Sequence, residues 1–595
     1  MKSGQEFIHW LELGAGARWL RRAAVLMGAL VLTLTISWRQ FHGPQDEMTL
    51  LQADVARQLV SSHSFTTLVN YPQTYAVLKE RGAPFDEKKP YPELHQAPLY
   101  SLLIAGAMGV IPTNWRDGLF AHRPQPPEGW ALDYLLLGLN LMLFWTAVFL
   151  AWRMARRLFD DRVAWITVLG IAVSVTLWQR TVAVDGMPLL MVLVLAVFDG
   201  LVSIDELLED ETLERFSLPL GWRVVLLGLW CGLLFLTEYS AGLVAVVVGG
   251  WLTWRIRGAA RWPAVGLFAA AAILLTTPWL VRNGNLTGSP VGLAWQNLAL
   301  KAGDSTAEPA AQRNLATSDS PSLDFKKLGN KGLTGLERNL KERLWSGGAL
   351  VFTAFFAAGL AYEFRHAPAN RIRWCFAGLL FVLFVVQPFL NSGESLRLPA
   401  HYLAPLIILF GAAFFLVLVD SQPALGLHWR WIAAGVLILQ GLPLVRDAME
   451  PRKVHFFYPP YFPSLFMELR KDAEKRFLPG TGLAADVPAG AAWYGRVRTW
   501  AKPERLRDFQ MIFVEQNIGA LLLTPVTLDR PFFTELAARN EDTIRISDAG
   551  GWGGVYAGLV TRRMPANFPL NLPPQKLTDN IVLLLNPGAL QLRGN

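Results

Sequence analysis

The stretch "AAVLMGALVLTLTISWRQFHGPQDEMTLLQADVARQLV", residues 23–60, decides how the rest of the chain is read. An apolar run closes at Trp38, a Gly43-Pro44 turn follows, and Asp46 and Glu47 stand side by side at the head of a new pattern. In that pattern Met48, Leu51, Val55 and Leu59 recur at helical spacing and predict a helix with one apolar face. The preceding run is introduced by "RWLRR", as a signal peptide would be, but "SWRQFHGPQDE" follows it in place of a small-residue cleavage site. An uncleaved first membrane helix is therefore expected. The acidic pair has two readings. Acids in a helix's first turn suit the macrodipole, and a proline suits the helix start. The other reading is a catalytic carboxylate held at a membrane surface.

Composition supports the membrane. Of 595 residues 52% are hydrophobic and 17% charged, where soluble domains carry about 25% charged residues. The mean hydropathy is +0.29. A net charge of +8 raises the question of nucleic acid. The basic residues, however, are mostly arginines gathered in short connections between apolar runs, which is the signature of membrane topology. Nucleic acid is excluded on that pattern. Cys231 and Cys375 lie far apart in or beside apolar runs, against a disulfide framework or a cysteine metal site.

About eleven runs approach spanning length, near 22–39, 131–152, 163–181, 187–204, 222–238, 240–254, 263–281, 347–363, 373–391, 402–420 and 430–446. With a cytoplasmic N-terminus, the inside connections include "RMARRLFDDR", "WRIRGAAR" and "EFRHAPANRIR", in keeping with the positive-inside rule. The acidic "DELLEDETLERF" is the exception. A transmembrane domain over 1–446 is expected, with external loops at 40–130 and 282–346 and a late external turn, "NSGESLRLPAH". The C-terminal region, 447–595, is then external. "APLYSLLIAGAMGVI" is too short to span comfortably and reads as a re-entrant or interfacial helix. "TGLAADVPAGAAWYG" and "IGALLLTPV" predict strands followed by helices, an α/β domain. The fold class is thus a polytopic α-helical membrane protein with external interfacial helices and a C-terminal extracytoplasmic α/β domain. No metal spacing, phosphate-binding glycine loop or internal repeat stands out.

Ionisable residues avoid the middles of the runs and gather at the external ends: Asp46, Glu47, His95, Asp185, Glu238, Arg282, Arg397 and His401. Transporters and flippases for lipid-linked saccharides instead bury such groups at the midplane. Acids and bases converging at one face suit a substrate with a lipid tail and an anionic head. Arginine matches phosphate through its forked donors, and a carboxylate at that level suits general-base work. Each residue also has a structural alternative. Asp185 before Gly186 can cap the next helix, Arg282 and Arg397 can anchor at the interface, Glu238 can be a loop acid, and the histidines can be structural.

"DEMTLLQADVARQLV", "HQAPLYSLLIAG", "ARRLF" and "TPWLVRNGNLTGSPV" resemble, in this order, the GT-C class of membrane glycosyltransferases. The protein O-mannosyltransferases and the bacterial aminoarabinose transferases are the types most alike, over about residues 1 to 420. The resemblance implies transfer from a polyprenyl-phosphate-linked sugar to a lipid, glycan or protein acceptor, at the periplasmic face of a cell inner (plasma) membrane. A ligase moving a whole oligosaccharide from a diphosphate lipid is the rival within this architecture. The resemblance makes Asp46 the catalytic base, Glu47 its neighbour in support and Asp185 a carboxylate lining the site. It sets Arg282 against the lipid phosphate and Arg397 near a basic position of the late turn. Where relatives have a lysine before the interfacial helix this chain has Ala97, which passes that phosphate contact to His95 or an arginine. Relatives often carry a base where Glu238 stands. No cofactor is required by this chemistry. A divalent metal held by Asp46, Glu47 and Asp185 is the alternative.

Overall fold

A computed structural model describes residues 15–590 apart from 45, 83–88, 123, 125–128, 211–215, 300–309, 316–324, 344–346, 391–398, 451–462, 478–480, 529–550 and 579–580. Among the described residues eight helices are long and apolar enough to cross a bilayer, or nine if one bent pair is a single span. The difference from eleven has local causes. The run at 163–181 breaks into Asp161–Ala172 and Val175–Val182, bent by 55°. At the break Trp178 Nε1, from the second half, donates to Ala172 O at 2.7 Å, and Ser174 Oγ ties it to Gly348 O at 2.7 Å. The runs at 240–254 and 347–363 yield only Leu243–Arg255 and Val351–Gly359, about 20 and 14 Å long at 1.5 Å per residue. Leu99–Gly109 is likewise a short apolar helix.

The helix Pro399–Asp420 runs through the centre of the bundle and is buried over most of its length. Its neighbours approach closely where side chains are small. A Cβ on Gly411 would lie 2.5 Å from Phe352 O, and one on Gly228 would overlap the carbonyl of Phe268. Small residues let backbones touch where lipid supplies no hydrophobic drive.

One end of the bundle is held by ion pairs. Asp205, fully buried, receives Arg255 at 2.5 Å and Arg371 at 2.7 Å. Arg157 bridges Asp199 and Glu206, and Arg162 reaches Asp420 at 3.0 Å. The acidic exception in the topology is thereby explained: its first acids are the partners of the arginine-rich connections.

At the opposite end stands a six-stranded sheet. Strands β1 (Thr66–Thr67) and β3 (Tyr91–Pro92) form a separate antiparallel pair. The sheet proper contains β2 (Val69–Asn70), β4 (Gly482–Ala485), β5 (Thr499–Ala501), β6 (Ile518–Leu523), β7 (Gln575–Thr578) and β8 (Ile581–Leu585), in the order β2-β5-β4-β6-β8-β7. The pairs β2-β5, β5-β4 and β4-β6 are parallel, with helices Pro488–Gly495 and Leu506–Glu515 as crossovers; β8 adds antiparallel to β6. Both predicted strand segments are strands. The edge strand β2 comes from the first loop, so the sheet crosses the boundary drawn at residue 446.

Candidate functional site

The helix Glu47–Ser62 begins as its sequence predicts. Asp46 is its N-cap, and its Oδ1 accepts from the backbone N–H of Met48 at 3.1 Å. One apolar face was expected, yet Thr49 through Arg57 are buried on every side. The reason is tertiary: the helix Pro488–Gly495 lies along it, itself wholly buried. Glu47 Oε2 accepts from Ala489 N at 3.0 Å, at the start of that helix. Arg57 donates to the carbonyls of Trp493 at 2.8 Å and Ala492 at 2.9 Å, at its end, and pairs with Asp54. An acid meets the N-terminus and a base the C-terminus, each matched to the dipole. Asp133 completes the seat by accepting from Trp493 Nε1 at 3.2 Å and Tyr494 Oη at 2.9 Å.

The segment "ELHQ" forms a turn in which Glu93 Oε1 accepts from the N–H groups of His95 at 2.7 Å and Gln96 at 3.1 Å. Several elements meet here. The Gln96 side chain donates to the Met48 sulfur, beside Asp46, and Tyr239 Oη, next to Glu238, donates to Gln96 O at 3.2 Å. Trp279 Nε1 donates to Tyr239 Oη at 2.8 Å. Arg282, one turn on, donates to Glu93 O and Phe65 O, both at 3.0 Å, with its guanidinium 4.6 Å from the Trp279 ring. Met48, Gln96, Tyr239 and Arg282 thus form one chain of contacts linking the segments that carry Asp46, Glu47, His95 and Glu238.

Asp185 enters by a second route. Its Oδ1 accepts from Met187 N at 2.9 Å, capping the following helix, and its carbonyl accepts from Asn140 Nδ2 at 2.8 Å. Asn140 also accepts from Tyr100 Oη at 2.9 Å, on the short helix Leu99–Gly109. The preceding residue, Val184, is buried with φ 62°, a conformation costly for a β-branched side chain. Strain of this kind gathers at functional loops. His401 is buried in the first turn of Pro399–Asp420. Arg397 lies outside the described residues.

Burial sets the charges near the turn. Desolvation pushes the Glu93 carboxyl up to about 7, opposed by the N–H groups of His95 and Gln96 and by Arg282. Desolvation also lowers His95 to about 3, so its ring is neutral around pH 7. Its Nε2 lies 3.0 Å from Thr74 Oγ1, and Tyr71 packs edge-on against the ring. Glu93, Gln96 and Tyr239 escaped the sequence reading. The available signal was an acid two residues before His95, whose burial no local pattern reports. Among the described residues no three of His, Cys, Asp and Glu form a group able to hold a metal ion.

No protein-family model matches the sequence, and no curated protein matches it. Solved structures do. An oligosaccharyltransferase of Archaeoglobus fulgidus, crystallised with zinc and sulfate, aligns at TM-score 0.53 and 12% identity over 86% of this chain and 69% of that one. The archaeal oligosaccharyltransferase AglB from the same organism, in complex with an inhibitory peptide and a dolichol-phosphate, gives 0.52 and 13% over 89% and 72%. ArnT from Cupriavidus metallidurans bound to undecaprenyl phosphate gives 0.48 and 13% over 86% and 94%, too weak to carry weight. The chain has the GT-C fold expected from its sequence.

Proposed function

We propose that the chain is an integral membrane glycosyltransferase taking its sugar from a polyprenyl-phosphate-linked donor. The acceptor is a lipid, glycan or protein, and transfer occurs at the periplasmic face of a cell inner membrane. The N-terminus is cytoplasmic and the C-terminal domain periplasmic. One observation carries this reading: on a GT-C bundle, the carboxylate Asp46 heads a buried helix in the same contact chain as the anchored guanidinium of Arg282.

Asp46 takes the proton of the acceptor hydroxyl or amine as that atom attacks the anomeric carbon. The prenyl phosphate leaves from the opposite face of the sugar, so configuration inverts. Arg282, with Arg397 in the late turn, answers the charge that develops on the leaving phosphate. His95, neutral at working pH, serves as a hydrogen-bonding group. Asp185 lines the site from the strained loop, and Glu238 and His401 face the substrate. Glu47 supports Asp46 by tying the helix start to Ala489. No step here passes through a metal, and transfer that persists in chelator is the expected result.

Asp46→Asn is the decisive variant, because asparagine caps a helix about as well as aspartate but cannot accept the proton. Transfer in membranes given a defined monophosphate donor should fall by roughly 10²–10⁴-fold with expression unchanged. Retained transfer sinks the base assignment. A ligase using a diphosphate-linked oligosaccharide is the second reading, favoured by the fold shared with oligosaccharyltransferases. Offering monophosphate and diphosphate donors separately distinguishes the two.

A further inference from the structure

Eleven residues beyond Asp46, about 16 Å along the helix at 1.5 Å per residue, a cavity of about 230 Å³ opens beside Arg57. Four segments build it: the helix Glu47–Ser62, the loop at Leu68, the region Met108–Phe120 and the C-terminal domain through Arg496. Arg57, Arg116 and Arg496 line it, with Asp117 as the facing carboxylate. Asp54 lies behind Arg57 and is bonded to it, as well as to Thr67 Oγ1 and Leu68 N. Arg470, which also feels Arg57 and Arg496, is paired with Glu474.

Among the described residues the charge of this cavity is not balanced. Asp54 answers Arg57, Glu474 answers Arg470, and Asp117 acts on Arg496. Among the described residues no hydrogen bond or ion pair engages the Arg116 guanidinium. The Arg496 side chain, among the described residues, makes no hydrogen bond either, but is posed, its guanidinium lying 4.5 Å from the centre of the Phe120 ring. Partial burial, then repulsion from Arg57 and Arg470, lowers its pKa to about 10, with Asp117 opposing. Such a guanidinium gains from an added anion. Forked donors on an apolar wall that includes Met108 and Phe120 fit the oxygens of a phosphate group.

The position of the cavity names the carrier. It adjoins the short apolar helix Leu99–Gly109 and the helix Thr113–Ala121. Val110 is 84% and Trp115 76% exposed on this edge, an arrangement suited to lying in a bilayer interface. We propose that this cavity binds the phosphate oxyanion of a lipid headgroup at the membrane surface, as a second phosphate site apart from that of the donor. The binding does not depend on the transfer reaction.

The test uses the full-length chain in phosphatidylcholine nanodiscs carrying increasing fractions of phosphatidic acid, with retained lipid counted by native mass spectrometry. Wild type should hold one more phosphatidic acid than Arg116→Gln/Arg496→Gln, and the double variant should need about tenfold more to match it. Arg116→Gln alone, on a short surface helix, should show the same direction with an unchanged unfolding temperature. Millimolar inorganic phosphate should release none of the bound lipid. Equal retention by wild type and variants overturns the proposal. So does arginine-dependent binding of inorganic phosphate with no preference for phosphatidic acid.

Discussion

The two ends of the bundle use arginine in opposite ways. At the arginine-rich end, Arg157, Arg162, Arg255 and Arg371 pair directly with carboxylates on neighbouring helices. At the end bearing the sheet, Arg57, Arg81, Arg282 and Arg313 donate chiefly to backbone carbonyls of distant loops and helix ends. Arg313, for instance, reaches Asp486 O at 2.9 Å and Lys502 O at 3.2 Å. Charge pairs fix helices that already run side by side. Carbonyl clasps instead assemble irregular backbone, whose acceptors no helix ladder satisfies. The first end is a lock between regular elements, and the second is a frame around irregular segments such as the turn of Glu93.

The contrast breaks most sharply at Asp205. Asp205→Ala would strand Arg255 and Arg371 against a buried hole, at a cost of about 3–5 kcal/mol. A large drop in the unfolding midpoint of the detergent-solubilised protein checks it; a drop of a degree or less would make this end no lock. At the other end, Glu93 should impose a pH dependence. Its folded pKa is about 7 against an ordinary 4.5, so the unfolded chain releases this proton first. The stability tied to the protonated carboxyl is complete below about 4.5 and is lost as pH rises to about 7, roughly 3 kcal/mol in all. Glu93→Gln should flatten that window in stability measured against pH.

Arg57→Lys sharpens the clasp itself. One ammonium cannot serve Ala492, Trp493 and Asp54 together, so a loss of about 1.5–3 kcal/mol is expected. Faster proteolysis of the C-terminal domain, with the bundle intact, would register it. The smallest effect should come from Glu47→Gln, which keeps an acceptor for Ala489 but removes the charge at that helix start, costing about 0.3–1 kcal/mol. Transfer should remain within a few-fold of wild type. A loss as deep as that of Asp46→Asn would move Glu47 from support into catalysis.

Much of the fold was legible because its signals are local. Apolar run length, arginines between the runs, a proline before a short apolar stretch and an aspartate at a helix head each act within one or two turns. The N-cap role of Asp46 and the strands β4 and β6 followed from such patterns. Less was legible in the site. Glu47 was placed beside Asp46 by sequence, but its partner Ala489 lies 442 residues away. The sequence passed a phosphate contact to His95 or an arginine, and the structure sets His95 buried and neutral, beside Tyr71 and Thr74.

By itself, the sequence determined that this chain enters a membrane many times, which connections carry the arginines and where the helix after the first apolar run begins. Those properties follow from transfer free energies and helix-end hydrogen bonding, which depend on neighbouring residues alone. Only the tertiary structure decided that a strand of the first loop completes the C-terminal sheet, and that among the described residues eight or nine helices are long and apolar enough to cross a bilayer. It alone decided that Glu93 titrates near neutrality and that Arg57, Arg116 and Arg496 share one cavity. Desolvation and charge repulsion depend on what fills the surrounding space, and residues hundreds of positions apart supply it.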